Sequence, residues 1–159
     1  MSTYYRVHSA DEPPETVLDP SRPDGWVASD ESYESQPHGV SACASLEDLL
    51  RYIRHYSLTP QDGDVVLALE GAVCDEDRDV DAVRVEVRSY RVLDSAEGLA
   101  EAAEHVDAIE DLRHLRSGYL RSRGVAWGTY YDSAEELAEE LDISEAAWGW
   151  LVRAAEEGC

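Results

Sequence analysis

His38–Tyr56, HGVSACASLEDLLRYIRHY, carries the strongest helix signal in the chain. A short run with glycine and serines leads into Ser45. Leu46, Leu49, Leu50 and Ile53 then recur at helical spacing and form one apolar stripe. Ser45 is placed to cap that helix, and Asp48 stands three residues on, where an acid can bond back to the cap. Arg51 and Arg54 fall late in the segment, where positive charge suits a helix carboxyl end.

Outward from this helix the pattern is α+β. Tyr4–Val7, continuing to His8, predicts a first strand. Residues 9–37 read as a long irregular connection, broken by Pro13, Pro14, Pro20, Pro23 and Pro37. The island Trp26-Val27-Ala28 argues for a partly ordered loop, because a tryptophan is costly to leave in water. Gly39–Ala44 predicts a short strand feeding the Ser45 helix. After a Pro60–Asp64 turn, Val65–Leu69 (VVLAL) reads as a strand buried on both faces. An acidic excursion over Gly71–Asp81 leads to a strand over Ala82–Val92. Val83, Val85 and Val87 share one of its faces, and Arg84, Glu86 and Arg88 share the other, which reads as solvated. Tyr90 and Val92 fall out of phase with those valines, and a bulge near Ser89 would reconcile them.

The remainder is mainly helical. Ser95 is the expected cap of one long helix over 96–116, with Leu99, Ala102, Ala103, Val106, Ile109, Leu112 and Leu115 as its stripe. Gly118 and Gly124 mark breaks, and Val125–Tyr131 reads equally as strand or packed loop. Ser133 and Glu136 form a capping box for a helix near 134–141. Ser144 caps a last helix near 145–157, with Trp148, Leu151, Val152 and Ala155 as its apolar face. There is no internal repeat and no linker. The expectation is one domain over 1–159: a small mixed or antiparallel sheet, strand-rich over 4–93, packed on two main helices, with a helical pair closing the mainly helical part at 95–159.

Composition limits the function classes. The chain has 159 residues and a net charge of −22, from 35 acids against 13 basic residues. Every basic residue is arginine, and lysine, asparagine and phenylalanine are absent. Such a composition reflects coding bias or a high-salt, halophilic-type cytoplasm. It opposes general affinity for nucleic-acid backbone or anionic membrane. It favours a protein partner, including the case in which the acids imitate a phosphate backbone. Cys43, Cys74 and Cys159 are odd in number and far apart, which suits a reducing cytoplasm and gives no metal pattern. No apolar leader or membrane-length run is present. The acid run 75–81, DEDRDVD, lacks the glycine and terminal Glu of a calcium loop, so no metal is predicted.

The order of these segments resembles the ADP-ribosyltransferase-like fold over about residues 4–93. The carriers are the YR pair at Tyr5-Arg6, the G-x-S-x-x-x-S-x-E-like run from Gly39 through Ser41 and Ser45 to Glu47, and VVLALEG at 65–71. The resemblance implies NAD as cofactor. Arg6 or His8 would hold the nicotinamide-side ribose or the diphosphate. Ser41 and Ser45 would support the pocket, and Tyr52 or Tyr56 would stack on nicotinamide. An acid would stabilise the oxocarbenium-like transition state, with Asp81 and Glu86 as candidates. No Q-x-E or E-x-E stands at the expected strand. Each residue also has a structural explanation: capping for Ser45, helix–sheet packing for the tyrosines, a solvated sheet face for Glu86.

Residues 137–151, LAEELDISEAAWGWL, resemble a helix-turn-helix with its turn at Asp142-Ile143-Ser144. The second helix offers Glu145 and Trp150 where DNA readers expose Arg, Lys, Gln or Asn, and only Arg153 is near to neutralise phosphate. A structural or protein-binding hairpin is therefore expected, with one of Trp148 and Trp150 exposed. Three functions stand at this level: an NAD-binding ADP-ribosyltransferase-like protein, catalytic or degenerate; a non-enzymatic acidic protein-binding or inhibitory protein; and, last, a helix-turn-helix regulator.

Overall fold

A computed structural model of the chain describes residues 2–18, 39–76, 81–117 and 134–157. In order they form β1 (Ser2–His8), a 3-10 turn (Pro14–Leu18), β2 (Val40–Ala42), α1 (Leu46–His55), β3 (Val65–Glu76), β4 (Val83–Ser95), α2 (Leu99–Glu104), α3 (Ala108–Ser117), α4 (Ala134–Leu141) and α5 (Glu145–Glu157). The fold is α+β. Four strands make one sheet in the order β1-β3-β4-β2, antiparallel throughout, with the helices on one side.

The two outer strands of that order also meet. Just past β2, Cys43 pairs with Tyr5 of β1, each amide donating to the other's carbonyl at 2.8 Å. The sheet thus curls into a ring closed at one residue pair, which covers edges that would otherwise be exposed. All four strands feed the inner core: Tyr4, Ala42, Leu67, Leu69 and Val85 are buried there, and Val17 of the 3-10 turn packs with them. The alternate residues Tyr5, Val66 and Ala68 face outward and meet the helices. Val66–Leu69 is thus buried on both faces as expected, with Val65 half-buried, although β3 runs on to Glu76.

The β4 bulge is present. Glu70 lies opposite Ser89 but Gly71 lies opposite Val87, so Arg88 is the extra residue. Its insertion lets Tyr90 join Val83, Val85 and Val87 on the inner side. Gly71 is required at this crossing, since a Cβ there would strike the Glu86 carbonyl oxygen. One expectation for β4 is corrected: Arg84 does not share a solvated face with Glu86 and Arg88. It is buried, and its Nη1 donates to the Gly39 carbonyl at 3.3 Å.

α1 follows its sequence closely. The Ser45 hydroxyl accepts the Asp48 amide at 3.0 Å, and Leu46, Leu49, Leu50 and Ile53 are buried together with Tyr52. A Ser cap of this kind contributes about 1 kcal/mol. A second cap comes from the far end of the chain: Glu157 Oε2 accepts the Leu46 amide at 2.8 Å.

The expected long helix over 96–116 is two helices. Ser95 is the last residue of β4, and the cap position of α2 is Gly98, at φ +78°. A Cβ on Gly98 would lie 2.5 Å from the Ala147 amide nitrogen, so glycine allows both the left-handed turn and the approach of α5. The helix breaks after Glu104, where i→i+3 bonds close on His105, Val106, Ala108 and Ile109. The stripe survives the break, because Leu99, Ala102, Ala103, Val106, Ile109 and Leu112 are all buried.

α4 and α5 lie where predicted, and Ser144 Oγ accepts the Ala147 amide at 3.2 Å as a cap. Ser133, Trp26 and Val125–Tyr131 lie outside the described residues. The buried face of α5 is Ala147, Trp150, Leu151, Ala154 and Ala155, rotated from the expected one. Neither tryptophan is left in solvent: Trp150 is buried, its indole N–H donating to the Glu97 carbonyl at 3.0 Å, and Trp148 is half-buried against the core. Among the described residues, no helix is long and apolar enough to cross a membrane.

Candidate functional site

The ring's closure at Tyr5–Cys43 sets up the site. Beyond that pair β1 and β2 separate, and Arg6 spans the gap, its Nη1 donating to the Ser41 carbonyl at 3.2 Å. Arg6, Ser41 and Tyr52 line one small cavity of about 20 Å³ with Ala82. That volume is on the scale of one water molecule. Arg6 also forms part of a larger open cleft of about 460 Å³, whose apolar wall includes Val7, Ile53, Leu58 and Pro60. β1 and the end of α1 make its sides, and the turn after α1 makes its rim. Asp64 braces that rim, accepting the Ala10 amide at 3.0 Å and the Gln61 amide at 2.9 Å. Among the described residues lining the cleft, Arg6 is the cation, facing Asp11, Glu12 and Asp64.

No family model, curated protein or solved structure matches the chain.

Of the residues named from sequence, the fold therefore gathers Arg6, Ser41 and Tyr52. The others stand apart from this cluster. His8 is buried and lines neither space; its Nε2–H donates to the Pro13 carbonyl at 3.2 Å, which ties β1 to the 3-10 turn. Ser45 serves α1 as its cap. Tyr56 is partly exposed, its ring 4.9 Å from that of Tyr52 and 4.7 Å from His55. Asp81 and Glu86 are exposed and line neither the cleft nor the cavity. Asp81 does adjoin the cavity residue Ala82, at φ +66°. Burial, and secondarily the nearby Asp81 charge, raises the Asp48 carboxyl, while its bond from Ser45 opposes the shift.

Two structural partnerships were invisible in the sequence. Burial, then a hydrogen bond to Glu157, raises the Tyr5 phenol well above its usual value. Glu157 therefore joins β1 to α1, through Tyr5 and Leu46. Arg113 joins the helices, donating to Glu47 at 2.7 Å and to the Ala154 carbonyl at 3.1 Å. Contacts between residues 41 to more than a hundred positions apart leave no local pattern to read. Among the described residues, no group of three or more His, Cys, Asp or Glu is arranged to hold a metal ion.

His8 makes a pH prediction. Because Nε2 carries the proton given to Pro13, Nδ1 is the bare nitrogen, and among the described residues it has no hydrogen-bond partner. Burial first, and the Arg6 charge second, push the His8 pKa below its ordinary value. The unfolded chain then binds the proton more readily than the folded one, so this residue costs stability as pH falls through its unfolded pKa. One unit below that pKa the cost is at most about 1.4 kcal/mol. In urea titrations at falling pH, wild type should lose stability relative to His8→Gln by up to that amount. Parallel pH profiles for the two proteins would contradict the assignment.

Proposed function

We propose that the chain is an NAD-binding protein of the ADP-ribosyltransferase-like type, with its nucleotide in the Arg6 cleft. The observation that carries this is the Arg6–Ser41 hydrogen bond at the separation of β1 and β2. It joins two residues that the resemblance implies for NAD. The small cavity cannot accept a nicotinamide ring, so the ligand occupies the adjoining 460 Å³ cleft, which is within the range of small-molecule sites. The wall chemistry suits the oxidised cofactor. Arg6 meets the diphosphate, and the acids Asp11 and Glu12 suit the positive charge of the pyridinium ring. Asp81 and Glu86 stand outside the cleft, so the reading is of binding without turnover.

The test is thermal. Ligand at about ten times its dissociation constant stabilises by about 1.4 kcal/mol, which raises Tm by about 3–6 °C for a chain of this size. Millimolar NAD should produce that shift in wild type. Arg6→Gln, which keeps a donor for the Ser41 carbonyl, should remove it. Asp81→Asn and Glu86→Gln should keep it. Absence of any shift in wild type would sink the proposal.

The fate of the arginines favours a second function, binding of a protein partner, as an inhibitor or as a mimic of nucleic-acid backbone. Arg6, Arg84 and Arg113 donate to the main-chain carbonyls of Ser41, Gly39 and Ala154. Glu97, Glu101, Glu104, Asp107 and Glu110 meanwhile face solvent on the helical layer. Arg51, Arg54, Arg88 and Arg91 stay exposed, but acids outnumber them on the surface, and that net negative field steers a basic partner toward the chain.

A further inference from the structure

We propose that His8 latches one wall of the Arg6 cleft and that a second proton on its imidazole releases the latch, weakening ligand binding; this rests on the nucleotide-binding function and names its regulation. His8 ends β1, is 2% exposed, and lies opposite Val65 in the sheet. Ser9, Asp11 and Glu12, which follow it, are wall residues of the cleft. The chain returns to His8 at Pro13, whose carbonyl accepts three donors: His8 Nε2 at 3.2 Å, the Thr16 hydroxyl at 2.8 Å and the Thr16 amide at 3.1 Å. The His8 bond thus closes segment 9–13 into a loop and fastens it to the 3-10 turn, whose Val17 is packed in the inner core.

The rest of the segment is held by single hydrogen bonds: the Ala10 amide to Asp64 Oδ1 at 3.0 Å, the Asp11 amide to the Ser9 hydroxyl at 3.2 Å, and the Glu12 amide to the Ser9 carbonyl at 3.3 Å. The first two lie at the surface, where bonds open most easily. Neutral His8 suits this loop, because its one N–H meets a carbonyl. A proton on Nδ1 would find no acceptor among the described residues. Burial is the largest influence against charging the ring, and the Arg6 charge on the same strand adds to it; the Pro13 carbonyl and Glu12 on the segment work the other way. β3 faces the ring with Val65, and Glu15 of the 3-10 turn is exposed. An imidazolium here gains by reaching water, and water reaches it when the segment moves. The loop is therefore closed above the ordinary imidazole value and opens progressively as pH falls through it.

The experiment is amide exchange of the full chain by NMR, at neutral pH and one unit below the ordinary histidine value, with each rate corrected for the pH dependence of free amides. In wild type, the Ala10, Asp11 and Glu12 amides should exchange up to about tenfold faster in acid. The Ala147 and Trp148 amides, on the first turn of α5, should not change. His8→Gln, which can still donate to the Pro13 carbonyl, should lose the acid effect. An equal rise at Ala147 and Trp148 is general loosening in acid and overturns the latch, whether or not His8→Gln folds. An acid effect that persists in a folded His8→Gln also overturns it. A second arm repeats the melting curves with millimolar NAD at both pH values. The NAD-induced rise in Tm should shrink in acid for wild type and stay the same for His8→Gln. A wild-type rise that is equal at both pH values overturns the control of binding. No rise at neutral pH overturns nucleotide binding, while amide exchange still decides the latch.

Discussion

Leu151→Ala is expected to lower the unfolding free energy by about 3–4 kcal/mol. Leu151 has no exposed surface, and it sits on the α5 face that meets the core from α1, α2 and α3. The buried core that it joins includes several helical alanines, Ala102, Ala103, Ala147, Ala154 and Ala155. Alanines have no flexible side chain to swing into the space left behind, so the cavity persists and its full cost is felt. Urea denaturation in high salt, where the chain's self-repulsion is screened, should show a lower midpoint with an unchanged slope. A loss under about 1 kcal/mol would mean that α5 is not docked through this residue.

Gly98→Val should cost about 3 kcal/mol by another mechanism. A left-handed conformation costs a side-chain-bearing residue about 1–2 kcal/mol, and forced overpacking adds about 1–3 kcal/mol. Both apply, because Gly98 is at φ +78° and its Cβ would press on the α5 backbone, 2.5 Å from the Ala147 nitrogen and 2.8 Å from the Ala146 carbonyl carbon. Tm should fall by about 6–12 °C. If Gly98→Val melts like wild type, the turn between β4 and α2 has a different backbone from the one described.

Local signals were legible and distant ones were not. The cap and stripe of α1 lie within ten residues, and the structure keeps both. The β4 bulge was readable because a phase change in a strand's pattern has few other causes. The Ser144 cap was equally local. By contrast, Ser95 looks like a helix cap until β4 is extended to meet β3, where it pairs with Val65. Arg84 looks solvated beside Glu86, yet β2 lies across it and buries it. The continuous stripe of 96–116 hid a break, since two helices that turn around one core keep the same buried positions. At the site, Arg6 and Ser41 were named, but the cleft itself depends on where Leu58 and Pro60 fold back, which no spacing encodes.

The single Tyr5–Cys43 pair has a consequence for motion. A ring of strands fastened at one point behaves as a clasp: two hydrogen bonds can release while the long β3–β4 ladder stays intact. Opening there would change the strands from a closed hoop to an open ribbon, and would release the Arg6–Ser41 bond along with the two main-chain ones. The Tyr5 and Cys43 amides should then exchange with deuterium far sooner than the Leu67 and Leu69 amides at the centre of the sheet. The clasp adjoins Arg6, so a ligand held by that side chain would slow the same two amides first.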